Sequence, residues 1–448
     1  MRYKNILLVC CVLVFFAPLL GRGVGGEAGG EVFSQEVLPL DKALETVLKN
    51  NYSIHISKNE SQIASNDASA GNAGMLPQLA LGASGNFASN DTKQKFSDGT
   101  NVDKEGASST NVSAGIGFTW TLFDGMKMFA TYNKLQELSE MSQVNLKIQI
   151  ENTVADVINT YYSLVKQKQL MQAAENALQL YDERVKIADK KWEIGSGLKT
   201  DYLQAKVDRN EQQSNYLGLK NSLVQMKIAL NTLLARPVET EFTVTDSIAI
   251  TYKPVYDELK TTAMKQNNQL LFQQKNIRVS EYVVKEMNSF RYPTLSFNSN
   301  YNFSQSQNQV GFILLNQNLG FNAGLTASWT LFNGFNTNRQ VKNSRIQLMN
   351  SQLLFDQTKM VVASSLLIAY NNFKNAMEIL VLEEENFKLA KENVNIALER
   401  FRIGNFTTIE LKTAQQSFDN AQTRLVNARY AAKAEETELM RLNGELVK

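Results

Sequence analysis

The sequence predicts a mainly α-helical chain with a membrane β-barrel part, built as two tandem repeats that each give a β-hairpin and long coiled-coil helices. Three observations carry this. From Met126 to Glu193 there is no proline or glycine, and apolar residues recur at helical spacing throughout. The heptapeptide Thr119-Trp120-Thr121-Leu122-Phe123-Asp124-Gly125 returns as Ser328-Trp329-Thr330-Leu331-Phe332-Asn333-Gly334, an offset of 209 from Trp120 to Trp329. Ahead of each tryptophan the apolar pattern switches from helical period to alternation.

At the N-terminus, Arg2 and Lys4 precede an apolar run from Ile6 to Leu20, and small residues follow through Ala28. Residues 1–28 therefore read as a secretory signal peptide. The run is too short to span a membrane as a helix, and no later segment supplies roughly 18 to 20 uninterrupted apolar residues. Both cysteines, Cys10 and Cys11, lie inside it, which leaves the mature chain without disulfides, thiolate metal sites or a cysteine nucleophile. A lipid-anchored cysteine is disfavoured, because both sit in mid-run. Removing Arg2, Lys4, Arg22 and Glu27 turns 46 basic and 44 acidic residues into 43 of each. A neutral chain with Lys and Glu scattered along helices has no basic patch, so no nucleic-acid partner is expected.

The offset of 209 also pairs Tyr161 with Tyr370, Trp192 with Phe401, Ile194-Gly195 with Ile403-Gly404, and Asp201 with Glu410, without insertion. Nearer each start, Asp41 pairs with Asp257 and Pro77 with Pro293 at an offset of 216, so the seven-residue difference falls between Pro77 and Trp120. An insertion in a coiled coil shifts every contact, whereas a surface loop absorbs it. The variable segment is therefore expected at a loop tip. These boundaries set the first repeat at 29–236, a linker with Pro237 and Pro254 at 237–256, and the second repeat at 257–448.

Within each repeat the strands come after the proline. Val112, Ala114, Ile116, Phe118, Trp120 and Leu122 alternate with polar residues and glycine, as do Phe321, Ala323, Leu325, Ala327, Trp329 and Leu331. Weaker alternation follows Pro77 from Leu79 to Phe87 and Pro293 from Leu295 to Phe303. This gives hairpin strands at about 78–123 and 294–332, four in all and about ten residues each, the length a tilted strand needs to cross a bilayer. An antiparallel sheet on a soluble core shows the same alternation. Trp120 and Trp329 near the strand ends favour the membrane, where an interfacial aromatic belt belongs. Asn90 to Thr110 and Gln305 to Asn318 read as external loops, the second with an apolar stretch that folds back on the barrel. Four strands cannot close a barrel, so the chain is expected to oligomerise.

The helices follow. Met126 to Glu193 gives a helix of about 100 Å at 1.5 Å per residue, too long for a compact domain to bury. Its lower half carries Met171, Ala174, Leu178, Tyr181, Val185, Ala188 and Trp192 in steps of three and four, the heptad of a coiled coil. The second repeat gives Leu380, Glu383, Phe387, Ala390, Val394, Ala397 and Phe401, with one charged exception at Glu383. Past the glycine, Leu411, Ala414, Phe418, Ala421, Leu425, Ala428 and Ala432 continue on a returning helix. Each repeat thus forms a helical hairpin turning at Gly195 or Gly404. A water-filled tube wall and a solid rod both fit such helices.

With its signal peptide, its matched repeats, the junction Trp-Thr-Leu-Phe-[Asp/Asn]-Gly and the turn Phe401-Arg402-Ile403-Gly404-Asn405-Phe406-Thr407-Thr408-Ile409-Glu410-Leu411, the chain resembles the TolC-like outer-membrane efflux family over essentially its whole mature length. The resemblance implies a homotrimer: a twelve-stranded barrel in outer-membrane lipid on an α-helical tunnel through the periplasm, opened by a periplasmic adaptor and an inner-membrane pump. The linker would lie in a belt around the tunnel. The hairpin tips at Gly195, Gly404 and Thr407 would contact the adaptor, and Asp201 and Glu410 would ring the narrow end, where they favour cations. Those acids equally suit the positive N-terminal end of a returning helix. The first repeat has Leu198 where the family's turn carries Ser or Thr. Phe401 and Phe406 stand where some members latch the gate with a tyrosine and an arginine, so either apolar packing is expected to hold this entrance shut or the entrance is expected to rest less tightly closed.

An enzyme is not expected, nor a cofactor or metal. His55 is the only histidine, which leaves no triad and no histidine-rich site, and no phosphate-cradling glycine loop carries a lysine. A trimeric coiled-coil adhesin or spacer is the structural alternative.

Overall fold

The two halves of the chain fold as they are written. The computed structural model describes residues 37–446, so the signal peptide and both cysteines lie outside the described residues. The first half gives α1 (Leu40–Asn50), α2 (Tyr52–Asp67), β1 (Gln78–Lys95), β2 (Asn101–Phe123), α3 (Lys127–Glu193) and α4 (Lys199–Leu233). The second gives α5 (Tyr256–Gln266), α6 (Asn268–Ser289), β3 (Thr294–Asn308), β4 (Leu315–Ser328), α7 (Asn336–Arg402) and α8 (Thr408–Leu442). Helices α3 and α7 are each 67 residues long, and α4 and α8 are each 35.

Each change of direction has a local cause that occurs twice. Asn51 and Asn267 leave helical geometry and cap the next helix, their side-chain oxygens accepting from the backbone N–H of Ser53 and Ile54, and of Gln269 and Leu270. Their amides donate to the Leu233 carbonyl at 2.9 Å and the Leu442 carbonyl at 3.0 Å, pinning the top of each returning helix. Strand gives way to helix through two successive left-handed residues, Gly125-Met126 and Gly334-Phe335. Glycine accepts that geometry freely and the second residue bears strain.

The four strands form one antiparallel sheet in the order β1-β2-β3-β4. The register aligns Leu81 with Ile116, Ile116 with Tyr301 and Tyr301 with Phe321, so the alternating apolar residues of both hairpins share one face. Among the described residues nothing covers that face: Leu79, Leu81, Phe87, Phe321 and Leu325 are all exposed. The opposite face carries Ser84, Ser113, Asn300 and Asn322, linked by Ser84–Ser113 and Asn300–Asn322 hydrogen bonds.

Three expectations need correction. The strands are 18, 23, 15 and 14 residues long, not ten, because the segment read as a loop from Asn90 to Thr110 continues the first hairpin almost to its tip. Polar composition was taken for a loop, yet paired backbone needs no apolar face where no core is built. Here Lys93 pairs with Asp103 at 2.9 Å, and the Asp91 carboxylate accepts from the N–H of Gly106, a left-handed residue, at 2.8 Å. Second, β4 ends at Ser328, short of Leu331. Third, the apolar stretch of the second tip meets the tip of the first hairpin, Phe312 packing on Phe96 with ring centroids 4.2 Å apart, and Ile313, Leu314 and Leu315 stay exposed rather than folding back on the strands.

The largest apolar core lies at mid-height, where Val47, Tyr161, Leu164, Leu230, Phe242 and Val244 meet. Leu259, Leu366, Phe373 and Leu439 form its counterpart in the second half. Below, the predicted seams close: Ala174, Leu178, Tyr181 and Ala188 are buried on α3, and Leu411, Ala414, Ala421, Leu425, Ala428 and Ala432 on α8. The charged exception Glu383 is met by Arg424, whose Nε donates to both carboxylate oxygens at 3.1 Å. Helix α7 also contains an 18-residue stretch of mean hydropathy 1.2, apolar enough by composition to cross a membrane, of which 17% is buried within the chain. Its apolar residues are spread along an amphipathic helix, so no uninterrupted run marked it in the sequence.

Candidate functional site

The lower end is built by two helix-turn-helix tips. Helix α3 ends with Gly195 in left-handed geometry (φ 73°), its N–H donating to the Trp192 carbonyl at 3.0 Å, while the Ser196 N–H reaches back to Lys191 at 2.8 Å. Gly404 (φ 82°) and Asn405 repeat the pattern on Phe401 and Arg400. The next helices start differently. Thr407 caps α8: its hydroxyl accepts from the Glu410 N–H, and the Glu410 carboxylate accepts from the Thr407 N–H at 2.7 Å and hydroxyl at 2.8 Å. Those hydrogen bonds hold the Glu410 carboxyl below its ordinary range, so it is ionised at neutral pH. At the start of α4, Leu198 supplies no side-chain cap.

Asp201, Phe401, Gly404, Phe406 and Thr407 line one cleft of about 300 Å³ between the tips, with Lys191 beside them. Phe401 is buried inside the single chain at 3% exposure, packed with Leu398 and Leu411. The Lys191 ammonium lies over its ring at 4.1 Å and donates to its carbonyl at 2.8 Å. Phe406 is half-buried against the same cluster, under the Arg400 guanidinium. Trp192 stacks on Tyr202 with ring centroids 5.6 Å apart. Ile194, Leu198, Ile403 and Ile409 stay exposed around the tips.

At the strand end, Trp120 and Trp329 make the same bond twice. Their indole N–H groups donate to the carbonyls of Met75 at 3.0 Å and Arg291 at 3.1 Å, two residues before Pro77 and Pro293. Each tryptophan thus clasps the entrance to its own hairpin while its ring stays exposed.

Sequence reasoning missed a charged cluster above the tips. Asp208 on α4 is buried and faces Arg184 of α3 at 2.9 Å and Lys412 of α8 at 2.7 Å, with Gln204 donating to it at 2.8 Å. Burial opposes its charge, but the hydrogen bonds from Lys412 and Gln204 and the Arg184 charge prevail and hold its carboxyl below the usual range. One step higher, the Tyr181 hydroxyl donates to Asp419 at 3.3 Å. Burial pushes the Asp419 carboxyl up to about 6 despite that bond, and pushes the Tyr181 hydroxyl well up. Both pairs line a polar cleft of about 670 Å³ among α3, α4 and α8. Among the described residues no cluster of His, Cys, Asp and Glu has the makings of a metal site.

A sheet with one uncovered apolar face, standing on helical hairpins some 100 Å long, defines a subunit of a barrel-and-tunnel channel of the outer membrane. The chain belongs to the outer membrane efflux protein family, whose model matches residues 43–236 and 259–445. It is 21% identical over 341 residues to the outer membrane efflux protein BepC of Brucella suis biovar 1, covering 75% of this chain and 73% of BepC. It is 19% identical over 366 residues to TolC of Escherichia coli K12, covering 80% and 72%. Its fold superposes on the CmeC outer-membrane channel of Campylobacter jejuni with a TM-score of 0.76 at 16% identity, covering 96% of this chain and 94% of CmeC. The protein is accordingly an outer-membrane efflux channel that extends into the periplasm; the family is one of transport channels rather than enzymes, and the adhesin or spacer alternative is not favoured.

Proposed function

We propose that three copies close into the exit duct of a tripartite efflux pump or one-step secretion system, joined at the tips by a periplasmic adaptor and driven by an inner-membrane pump. The carrying observation is the sheet itself: one apolar face lies in register across four strands whose outer two, β1 and β4, have free edges. In lipid those edges must pair with other copies, and three copies make twelve strands. The polar Ser and Asn face then lines the lumen, and Trp120 and Trp329 sit at the lower rim of the lipid. The linker 237–256 joins the two repeats in a belt at mid-height.

At the far end, Asp201 and Glu410 supply two acids per copy to the narrow entrance, Phe401 and Phe406 pack it, and Gly195, Gly404 and Thr407 present the turns to the adaptor. Glu410 serves both its helix cap and the field at the entrance, because the cap keeps it charged. Purified protein in planar bilayers is expected to show low, flickering, cation-selective conductance, with selectivity weakened in Glu410→Ala and Asp201→Ala. A verified trimer that never conducts, even with Phe401 and Phe406 replaced by alanine, overturns the duct and leaves a solid rod.

A further inference from the structure

The polar cleft of about 670 Å³ above the tips is built within one copy, from α3, α4 and α8, and so does not depend on the trimer. Its floor is low because α3 presents Ala173, Ala174 and Ala177 there. Its walls carry three acids, Asp208, Glu211 and Asp419, with a single lysine, Lys412. That lysine is committed: it pairs with Asp208 at 2.7 Å, and Arg184 pairs with the same carboxylate at 2.9 Å. Among the described residues no cationic side chain pairs with Glu211 or Asp419. Asp419 is half-buried; one of its oxygens accepts from the Tyr181 hydroxyl at 3.3 Å, and the other accepts from no side chain or backbone donor among the described residues. Partial burial of a carboxylate without a cation is unfavourable, and its carboxyl is accordingly pushed up to about 6. The repeat shows that packing does not call for these groups. Tyr181, Asp208 and Glu211 of the α3–α4 hairpin are matched 209 residues on by Ala390, Ser417 and Asn420 of the α7–α8 hairpin, which closes its own apolar seam without them.

We propose that this cleft is a binding site for a small organic ammonium ion, its nitrogen donating to Asp419 and its short apolar arm lying on the alanine floor. The volume falls within the range of about 300 to 1,000 Å³ of small-molecule pockets. A primary ammonium brings three donors, one of which meets the carboxylate oxygen that Tyr181 leaves free. The exposed Glu211 adds negative field at the rim without ordering the ligand. A metal ion suits the cleft poorly: among the described residues no cluster of His, Cys, Asp and Glu could hold one, and a hydrated ion gains nothing from a hydrocarbon floor. The site is separate from the acids at the entrance, because Asp419 lies about 13 Å along α8 from Glu410 at 1.5 Å per residue. Around Asp419 stand Tyr181 and Arg184 from α3, Asp208 and Glu211 from α4, and Lys412 from its own helix. The ligand takes the ionised carboxylate, so affinity is present above about pH 6 and is lost as pH falls through that value.

The test is calorimetric titration of n-pentylammonium into the assembled protein in lipid nanodiscs, with empty discs as the reference. Saturable binding of one ion per copy is expected at about pH 8 and its loss at about pH 5. Asp419→Asn is expected to weaken binding by about tenfold or more, the effect of removing one charge partner, and Asp419→Glu to keep most of it. Asn215→Lys, at an exposed position on the α4 wall of the cleft, supplies a tethered ammonium and is expected to abolish binding while the thermal melt stays at or above that of wild type. The uncharged n-pentanol, of the same shape, is expected to give no saturable signal. Absence of saturable binding to wild type, equal binding of pentanol, or wild-type affinity in both Asp419→Asn and Asn215→Lys each overturns the proposal.

Discussion

At the scale of single residues, the two tips show how one position separates repeats that otherwise match. Thr407 completes a reciprocal cap with Glu410, whereas Leu198 leaves Asp201 without a partner at the start of α4. Leu198→Thr is expected to let Asp201 cap in the same way and to stabilise the first tip by about 1 kcal/mol; Thr407→Ala should cost the second a similar amount. Amide hydrogen exchange at the two tips reads both. The Glu410 carboxyl is lowered on folding, so its contribution is present at neutral pH and lost as pH falls through its folded value. Asp419 runs the other way. Its carboxyl rises from 3.8 to about 6, so the folded state holds the extra proton between those values and stability declines as pH rises through them. Asp419→Asn is expected to stabilise the protein above pH 6 by about 2 to 3 kcal/mol, with no difference below pH 4. Thermal melts followed by circular dichroism across that range check it, and a pH-independent difference contradicts it. The repeat offset marked Gly195, Gly404, Asp201 and Glu410, and the family's turn pattern gave the two acids their expected role. Neither gave a sign of the Asp208 cluster: Lys412 lies 204 positions away in sequence, and a charge on a helix reads as solvated until its neighbour is known.

Among elements, length and period were legible and the joints were not. The heptads marked both hairpins because a buried seam must repeat every three or four residues. Strand ends were misjudged because a polar hairpin arm, Asp91 to Ala107, pairs without an apolar face to announce it. Asn51 and Asn267 were overlooked although they stand 216 apart, the spacing of Pro77 and Pro293; matching short polar residues at a helix break was the available signal. Each asparagine caps one helix and holds the last carbonyl of another, and both are buried. Asn267→Ala removes the cap and strands the Leu442 carbonyl, a loss of roughly 2 to 4 kcal/mol. Asn51→Ala should do the same in the first repeat. A loss below about 0.5 kcal/mol in chemical denaturation contradicts the clasp for either residue.

On the scale of the whole molecule, the single chain leaves too much unfinished to be a stable body. It exposes 29275 Å², against about 17,000 Å² for a compact monomer of its 50.3 kDa mass. The excess follows from isolated long helices, an uncovered sheet face and the two free strand edges. This incompleteness was legible in the sequence, since four strands cannot close and hundred-ångström helices cannot bury themselves; which flank meets which was not, because it depends on the order of packed helices. A proline pair tests the closure directly. Ala323 and Gly324 are neighbours in β4, so their N–H groups point to opposite sides, one toward β3 and one toward the free edge. In an isolated sheet a proline is tolerated on the edge side and disruptive on the other, so one of Ala323→Pro and Gly324→Pro should behave as wild type. In a closed barrel β4 has no edge, and both N–H groups are committed, one to β3 and one to β1 of the next copy. Both substitutions are then expected to abolish trimers in isolated outer membranes, read on native gels. A full yield of trimer from either variant means that β4 keeps a free edge and that the barrel does not close there.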